Sequence, residues 1–434
     1  MPIRSAQIFF GTVALALMAS VAVAADNRNA PPQAEPPPAQ ADAVALDELV
    51  REAVAKNPAI QSAQRQAEAL RHRVPQVRTL PDPVLTVGWA GNAAPFNVQN
   101  GDPSSYRGLS AMQQIPLGGK LGLRGQVAAR EGDAASWESE ITRRRVVAEV
   151  KATYYEYFYL HTALGITRKN HELLEKLARI AEVRYQVGKG IQADVLRAHV
   201  ELSRLRQRMT VLEQQQNTAR ARLNTLLFRD AEAALGPPTA VQATSMNQTL
   251  EQLYELAAAN DGELQRQQKL VEREQVTVAL ARKDYVPDLS VGWMYQQRPG
   301  MPDMHGATFS LNIPIFFKSK QRERVKEAKL GLEGTTHALD DRKTNLAFEV
   351  KEQYLTARAA EELMRLYSQG VVPQASLALE SSMAAYEVGT VDFLTVITNF
   401  STVLDYEMEY YRELANLRIA LARLEPLVGV ELTN

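Results

Sequence analysis

A twofold internal repetition limits the architectures open to this chain more than any other feature. Pro83-Val84-Leu85-Thr86-Val87-Gly88-Trp89 returns as Pro287-Asp288-Leu289-Ser290-Val291-Gly292-Trp293. Upstream, Leu46-Asp47-Glu48-Leu49 meets Leu250-Glu251-Gln252-Leu253 at the same offset, and downstream Ile115-Pro116-Leu117 recurs as Ile313-Pro314-Ile315. A solenoid needs at least about three stacked units, so two copies predict a duplicated body. The first repeat is expected over 46–235 and the second over 249–430, with a linker at 236–248.

Each repeat opens with strand-like segments. Leu289, Val291, Trp293 and Tyr295 alternate with Ser290, Gly292 and Met294, and Ala307, Phe309, Leu311 and Ile313 alternate with Thr308, Ser310 and Asn312. A period of two with one apolar and one small or polar face marks a strand. Strands are predicted near 84–90 and 106–115, then 288–295 and 306–313, with Gly- and Pro-rich loops at 91–105 and 296–306.

Long helices follow. Between Ile191 and Leu235 neither Gly nor Pro occurs, and Val195, Ala198, Leu202, Leu205, Met209, Leu212, Gln216, Ala219, Leu223 and Leu226 keep the spacing of a coiled coil. So narrow a stripe pairs lengthwise with neighbours. Its predicted partner runs from Gln126 to Tyr185; the second repeat gives Arg322 to Tyr386, then Val391 to Glu425, closed by Pro426. Gly165, Gly331, Gly334 and Pro373 are candidate kinks. The two hairpins turn at the same frame, Tyr185-Gln186-Val187-Gly188 and Tyr386-Glu387-Val388-Gly389, where glycine accepts the left-handed backbone of a reversal.

Targeting and composition exclude several classes. Arg4 precedes an apolar run from Ile8 to Val23 that ends in Ala22-Val23-Ala24, the pattern of a secretory signal over 1–24, with a membrane anchor as the alternative. A Pro-rich linker follows at 25–45. There is no cysteine, hence no disulfide, no thiolate ligand and no site for lipid attachment after the signal. A net charge of −1 gives no case for nucleic acid. No triad-like motif and no phosphate-binding glycine loop suggests catalysis or a cofactor. Six histidines are scattered; Met301, Met304 and His305, with Met294, form the best soft-metal cluster, but they sit in a loop where chance is the simpler account.

Four strands have the length to cross an outer membrane, yet a closed membrane barrel needs about eight. An open edge cannot sit in lipid, so either several copies close one barrel or the sheet is soluble and caps a helical bundle. Trp89 and Trp293 favour lipid, because such rings settle at membrane interfaces.

The signal, the duplicated halves, the order of two strands then a long helical hairpin, and the Tyr-x-x-Gly tips together resemble the TolC-like outer-membrane efflux family. Leu80-Pro81-Asp82-Pro83 and Gln114-Ile115-Pro116-Leu117-Gly118-Gly119-Lys120 look most like its heavy-metal efflux branch. The resemblance implies a mainly α fold with a small β part, and a homotrimer whose strands form a barrel of twelve, continued by a periplasmic α-helical barrel. It implies a passive exit duct in the outer membrane of a Gram-negative bacterium, with outer-membrane lipid around the barrel. A periplasmic adaptor would meet the tips at Val187, Gly188, Val388, Gly389 and Thr390, and an inner-membrane pump of the RND type would supply the driving force. Asp194 matches the family's first-tip aspartate and Tyr386 the tyrosine linked to it in the closed gate, with Tyr185 beside them; a helix N-cap or first-turn role is the alternative for Asp194. Where the family carries an inward acidic ring, this chain has Thr395 and Thr398, with Asp392 nearby. The competing readings are a periplasmic coiled-coil adaptor or scaffold, and a channel serving type I secretion or drug efflux.

Overall fold

A computed structural model describes residues 43–91 and 98–432. The signal segment, most of the Pro-rich linker and part of the first loop lie outside these residues. The helices are α1 (Leu46–Lys56), α2 (Pro58–Arg78), α3 (Lys120–Gln186), α4 (Gln192–Leu226), α5 (Leu250–Asn260), α6 (Gly262–Lys283), α7 (Gln321–Leu366), α8 (Val372–Val388) and α9 (Phe393–Val428). The strands are β1 (Val84–Ala90), β2 (Tyr106–Ile115), β3 (Asp288–Gln297) and β4 (Met304–Asn312).

The strands form one antiparallel sheet in the order β1-β2-β3-β4, so the halves join where β2 pairs with β3. The register keeps odd numbers opposite odd numbers across all four strands: Leu85 faces Ala111, which faces Trp293, which faces Ala307. One face therefore gathers Leu85, Val87, Trp89, Leu109, Val291, Trp293, Phe309 and Leu311. The other gathers Thr86, Gly88, Gly108, Ser110, Ser290, Gly292, Gly306, Thr308 and Ser310. The apolar face is not covered: Val87 is 77% exposed and Phe309 72%. β3 runs to Gln297 and β4 starts at Met304, so the second hairpin is tighter than the alternation alone predicts. Tyr295 donates its hydroxyl to Asp303 at 2.6 Å and Arg298 donates to the Pro302 carbonyl at 2.7 Å, which draws the strands together there.

α3 is the pillar of the body. At about 1.5 Å per residue its 67 residues span on the order of 100 Å, and it packs against α2 and α6 in its first part and α4 and α9 in its second. Because it is surrounded, its aromatic cluster is buried in several directions at once. Tyr154 shares hydrogen bonds with the Val44 carbonyl and Thr239, Tyr157 reaches the Gly236 carbonyl, Phe158 meets Tyr411, and Tyr159 lies under Arg412. These rings fill gaps between neighbouring elements rather than form a ligand cradle.

Two helix pairs meet end to end beside α3. Asn57 donates to the Leu226 carbonyl at 2.8 Å and caps α2 at Ala59, so α4 leads into α2. Asp261, only 3% exposed, caps α6 at Leu264 at 2.7 Å, while Gly429 at the end of α9 abuts Asn260 so closely that a β-carbon there would stand 2.6 Å from the Asn260 β-carbon. Helix ends otherwise leave donors and acceptors without partners; here junction side chains supply some of them. The body is thus a layer of helices with α2 and α4 along one margin and α7 and α8 along the other.

Two helix ends differ from the expectation. α4 ends at Leu226 although nothing from Ile191 to Leu235 breaks a helix: Asn224 instead donates to the carbonyls of Ala231 and Ala233 and pulls the chain away. Pro426 does not close α9, which continues to Val428 before Gly429 turns it. Pro373, a candidate kink, does mark a break: it lies in the first turn of α8 and follows a π-turn at Tyr367–Val371, because proline has no N–H to bond back and the widened turn accommodates that loss. Gly165, Gly331 and Gly334 lie inside unbroken helices.

Charge pairs fasten the layers. Lys120 at the start of α3 donates to Asp288 at 2.8 Å and to the Val286 carbonyl at 2.7 Å, tying the helices to the sheet. Lys151 and Glu425 form a buried pair at 2.7 Å between α3 and α9. Removing one partner of such a pair strands a buried charge. Lys151→Ala is therefore expected to destabilise the protein by about 3–5 kcal/mol, and Lys151→Met with Glu425→Leu to recover most of that. Thermal unfolding of the detergent-solubilised protein measures both; a single variant as stable as the parent contradicts the assignment.

Candidate functional site

The far ends of the two hairpins are built alike. At the first, Gly188 takes φ +72, its N–H donates to the Tyr185 carbonyl at 3.0 Å, and Lys189 donates to the Arg184 carbonyl at 2.8 Å. At the second, Gly389 takes φ +83, donates to the Tyr386 carbonyl at 3.0 Å, and Thr390 donates to the Ala385 carbonyl at 3.0 Å. This is the left-handed helix termination that glycine permits. It leaves Val187 and Val388 pointing outward, with Val388 77% exposed.

The return helices start differently. α9 opens on Asp392, which accepts from the Thr395 N–H at 2.9 Å and its hydroxyl at 2.6 Å. Those bonds hold the Asp392 carboxyl below the usual carboxylate range, so it stands charged and exposed at the tip. The Thr395 hydroxyl is consumed by this cap, and the Thr398 hydroxyl donates to the Leu394 carbonyl at 2.8 Å. α4 has no side-chain cap: Ile191 occupies that position and Asp194 lies in the first turn.

Asp194 and Tyr386 sense each other but are not hydrogen-bonded. Tyr386 is 3% exposed, its ring packs on Phe393 at 5.3 Å, and its hydroxyl has no hydrogen-bond partner. Burial pushes the Tyr386 hydroxyl up, the Asp194 charge adds to that, and Arg184 opposes it. The Asp194 carboxyl is likewise raised, first by burial and then by Asp392, against the opposing charges of Arg197 and Arg184.

What joins the two tips is Arg184. Its guanidinium lies 4.6 Å from the centre of the Tyr386 ring and donates to the carbonyls of Tyr386 and, at 3.0 Å, Glu387. It thereby satisfies carbonyls at the end of α8 and places a cation where the helix dipole is negative. The signal for it was in the repeat itself: Arg184 precedes the first Tyr-x-Val-Gly frame, where the second frame has Ala385. Tyr185 takes no part and is 46% exposed.

At the other end, Trp89 and Trp293 share the apolar face and are about half exposed. They do not share one register level. Trp89 lines up through Arg107 with Gln297, whereas Trp293 lines up through Ala111 with Leu85, four residues along the strand. The soft-metal cluster is also divided. His305 stacks near Tyr295 at 5.2 Å on the apolar face, while Met294 and Met304 belong to the other face. Among the described residues no group of three or more His, Cys, Asp or Glu is placed to hold a metal.

Comparison with known proteins follows the same outline. The profile of the family described as "Outer membrane efflux protein" matches residues 49–227 and again 253–430, once for each half. The cobalt-zinc-cadmium resistance protein CzcC of Cupriavidus metallidurans is 21% identical over 395 residues, covering 88% of this chain and 90% of that protein. Among solved structures, a membrane protein from Pseudomonas aeruginosa superposes with a TM-score of 0.78 at 18% identity, covering 88% of this chain and 92% of that one. CusC superposes with a TM-score of 0.76 at 14% identity, covering 90% and 93%. Matched over both halves of its body, the chain belongs to the outer membrane efflux protein family.

Proposed function

We propose that this chain is one third of a homotrimeric exit duct for heavy-metal cations, with its helices in the periplasm and its tips against a periplasmic adaptor fed by an inner-membrane pump of the RND type. The observation that carries the reading is the sheet: four strands, one apolar face, and two outer strands, β1 and β4, with no pairing on their outer sides among the described residues. In lipid those backbone groups need partners, and three copies supply twelve strands, enough for a closed barrel. The cargo rests on the likeness to a cobalt-zinc-cadmium resistance protein. The exposed, charged Asp392 at the second tip of each copy supplies acidity near the entrance, where Thr395 and Thr398 have their hydroxyls bonded internally. Purified protein is expected to migrate as a heat-dissociable trimer and to give discrete conductance steps in planar bilayers. A water-soluble monomer that forms no pore would favour the periplasmic scaffold instead. Deletion followed by challenge with cobalt, zinc and cadmium, with drugs, and with a secreted substrate separates metal efflux from the other channel services.

The gate reading puts the latch on Arg184. Arg184→Ala removes the ring contact and charged hydrogen bonds, worth about 1.5–3 kcal/mol, and is expected to raise the open population at least about tenfold. Tyr386→Phe keeps the ring beneath the guanidinium and removes only an unpartnered hydroxyl, so its conductance should match the parent. Equal leakage from both variants would return the latch to the Asp194–Tyr386 pair.

Proton linkage gives a further test. A carboxyl whose pKa is raised in the packed tip binds its proton more tightly there than in an open tip, so packing is favoured as pH falls through the raised value and disfavoured as pH rises through it. The groups around Asp194 are Arg184, Arg197, Asp392 and Tyr386. Open probability is expected to fall on acidification from neutrality toward the ordinary aspartate range, and Asp194→Asn to flatten that profile in single-channel recordings.

A further inference from the structure

Three of the long helices end on a left-handed glycine or a turn that includes one: Gly188 after α3, Gly389 after α8 and Gly429 after α9. α4 ends on Phe228 at φ +58, the one non-glycine with positive φ among the described residues. Its terminal bonds, Phe228 N–H to Thr225 carbonyl at 3.1 Å and Arg229 N–H to Asn224 carbonyl at 2.8 Å, are those of the glycine-ended tips. A bulky side chain is disfavoured in this conformation, yet burial does not compensate, because Phe228 is 67% exposed. At the position equivalent by the 201-residue spacing of the tips, Gly429 has no room for a β-carbon. The internal junction thus requires glycine, whereas the marginal junction carries a strained, outward-pointing aromatic ring.

The opposite margin carries a matching surface. On α7, Leu330, Phe348, Leu355 and Leu366 are all exposed, Phe348 by 64%. Their separations are close to whole numbers of helical turns, so they form one stripe. The residues α7 buries in its own chain, Ala328, Leu346, Val350, Ala357 and Met364, lie on the other side of the cylinder. A helix with two opposed apolar faces belongs inside a layer, and here the layer stops after one.

The two surfaces stand at one height. Arg222 of α4 pairs with Glu149 of α3, which puts Phe228 six residues further on, about level with Arg143. Phe158 of α3 meets Tyr411 of α9, and Tyr406 of α9 meets Tyr367 of the π-turn that continues α7, which puts Phe348 about level with Arg144. Charge agrees in sign: α2 and α4 carry ten arginines against four carboxylates, while α7 and α8 carry eleven carboxylates against nine basic residues.

We infer that Phe228 is a knob that inserts against Phe348 and Leu355 of a second copy of this chain, setting the register of a head-to-tail ring. This deepens the trimeric reading and rests on it. Two different margins of one chain meeting each other is the heterologous contact that closes a ring, and it continues along the helices the pairing that β4 and β1 of neighbouring copies would make in the sheet. An exposed aromatic held in a costly backbone conformation then has a function, because glycine would end the helix more cheaply but leave the neighbour's stripe uncovered.

The chain has no cysteine, so cross-linking has no background. The full-length variant carrying both Phe228→Cys and Phe348→Cys, treated in outer-membrane fractions with a short bismaleimide, is expected to give a covalent ladder ending at the trimer. Each single variant should give none, and Phe348→Cys with Val200→Cys, displaced along the helices, should also give none. Trimers on semi-native gels without a ladder in the first variant overturn the inference and leave the trimeric reading intact; absence of any trimer removes both. Phe228→Gly supplies the second readout. It is expected to leave the yield of folded chain undiminished while lowering the temperature at which trimers dissociate, whereas a merely local role for Phe228 predicts unchanged dissociation.

Discussion

Every level of this structure depends on backbone groups that one chain cannot satisfy. β1 and β4 each present an outer row of N–H and C=O groups beside an apolar face, and lipid offers such groups no partner. The same incompleteness descends through the helices, where α7 has a second apolar stripe and α4 ends on an exposed phenylalanine. In the proposed trimer, identical neighbours on both sides supply the same remedy to sheet and helices. α3 transmits that requirement along the body, because Lys120 fixes its start to β3 and Lys151 fixes its middle to α9.

Duplication explains much of the economy of the fold, and the departures from it locate specific functions. The tips repeat one frame and one hydrogen-bond pattern, yet Arg184 has Ala385 as its counterpart. Gly429 has Phe228 as its counterpart, one facing an internal joint and the other a margin. Two equal halves would have identical tips and identical margins. Unequal residues at equivalent positions distinguish the two tips and the two margins.

The strands, the long hairpins and the glycine turns were legible in the sequence because each rests on local periodicity or on one residue's backbone freedom. The alternation of Leu289, Val291 and Trp293 survives as the odd-numbered face of the sheet. What escaped were features decided at a distance. α4 stops at Leu226 with no Gly or Pro to break it, because Asn224 finds carbonyls beyond the helix. Trp89 and Trp293 repeat in sequence but not in register level, since inter-strand pairing and not the repeat sets that level. The contact between the tips was half legible: Tyr386 and Asp194 do lie within electrostatic reach, but the residue that bonds across the tips is Arg184 of the first hairpin.

The electrostatics of the tip bear on how a cation would pass it. An aspartate that stays charged, Asp392, is exposed and held low by its own cap, while the aspartate facing the closed contact, Asp194, is raised by burial and by that same neighbour. Arg184 reduces the cost of keeping both carboxylates near one another, and it is also the group that binds the second hairpin. Loss of its hold would uncover Asp194 to water and lower its pKa toward the ordinary value. Under the proposed gate, opening would then favour the charged form of Asp194 as the passage widens, a coupling of gate and charge that suits a duct for cations and needs no acidic ring at Thr395 or Thr398.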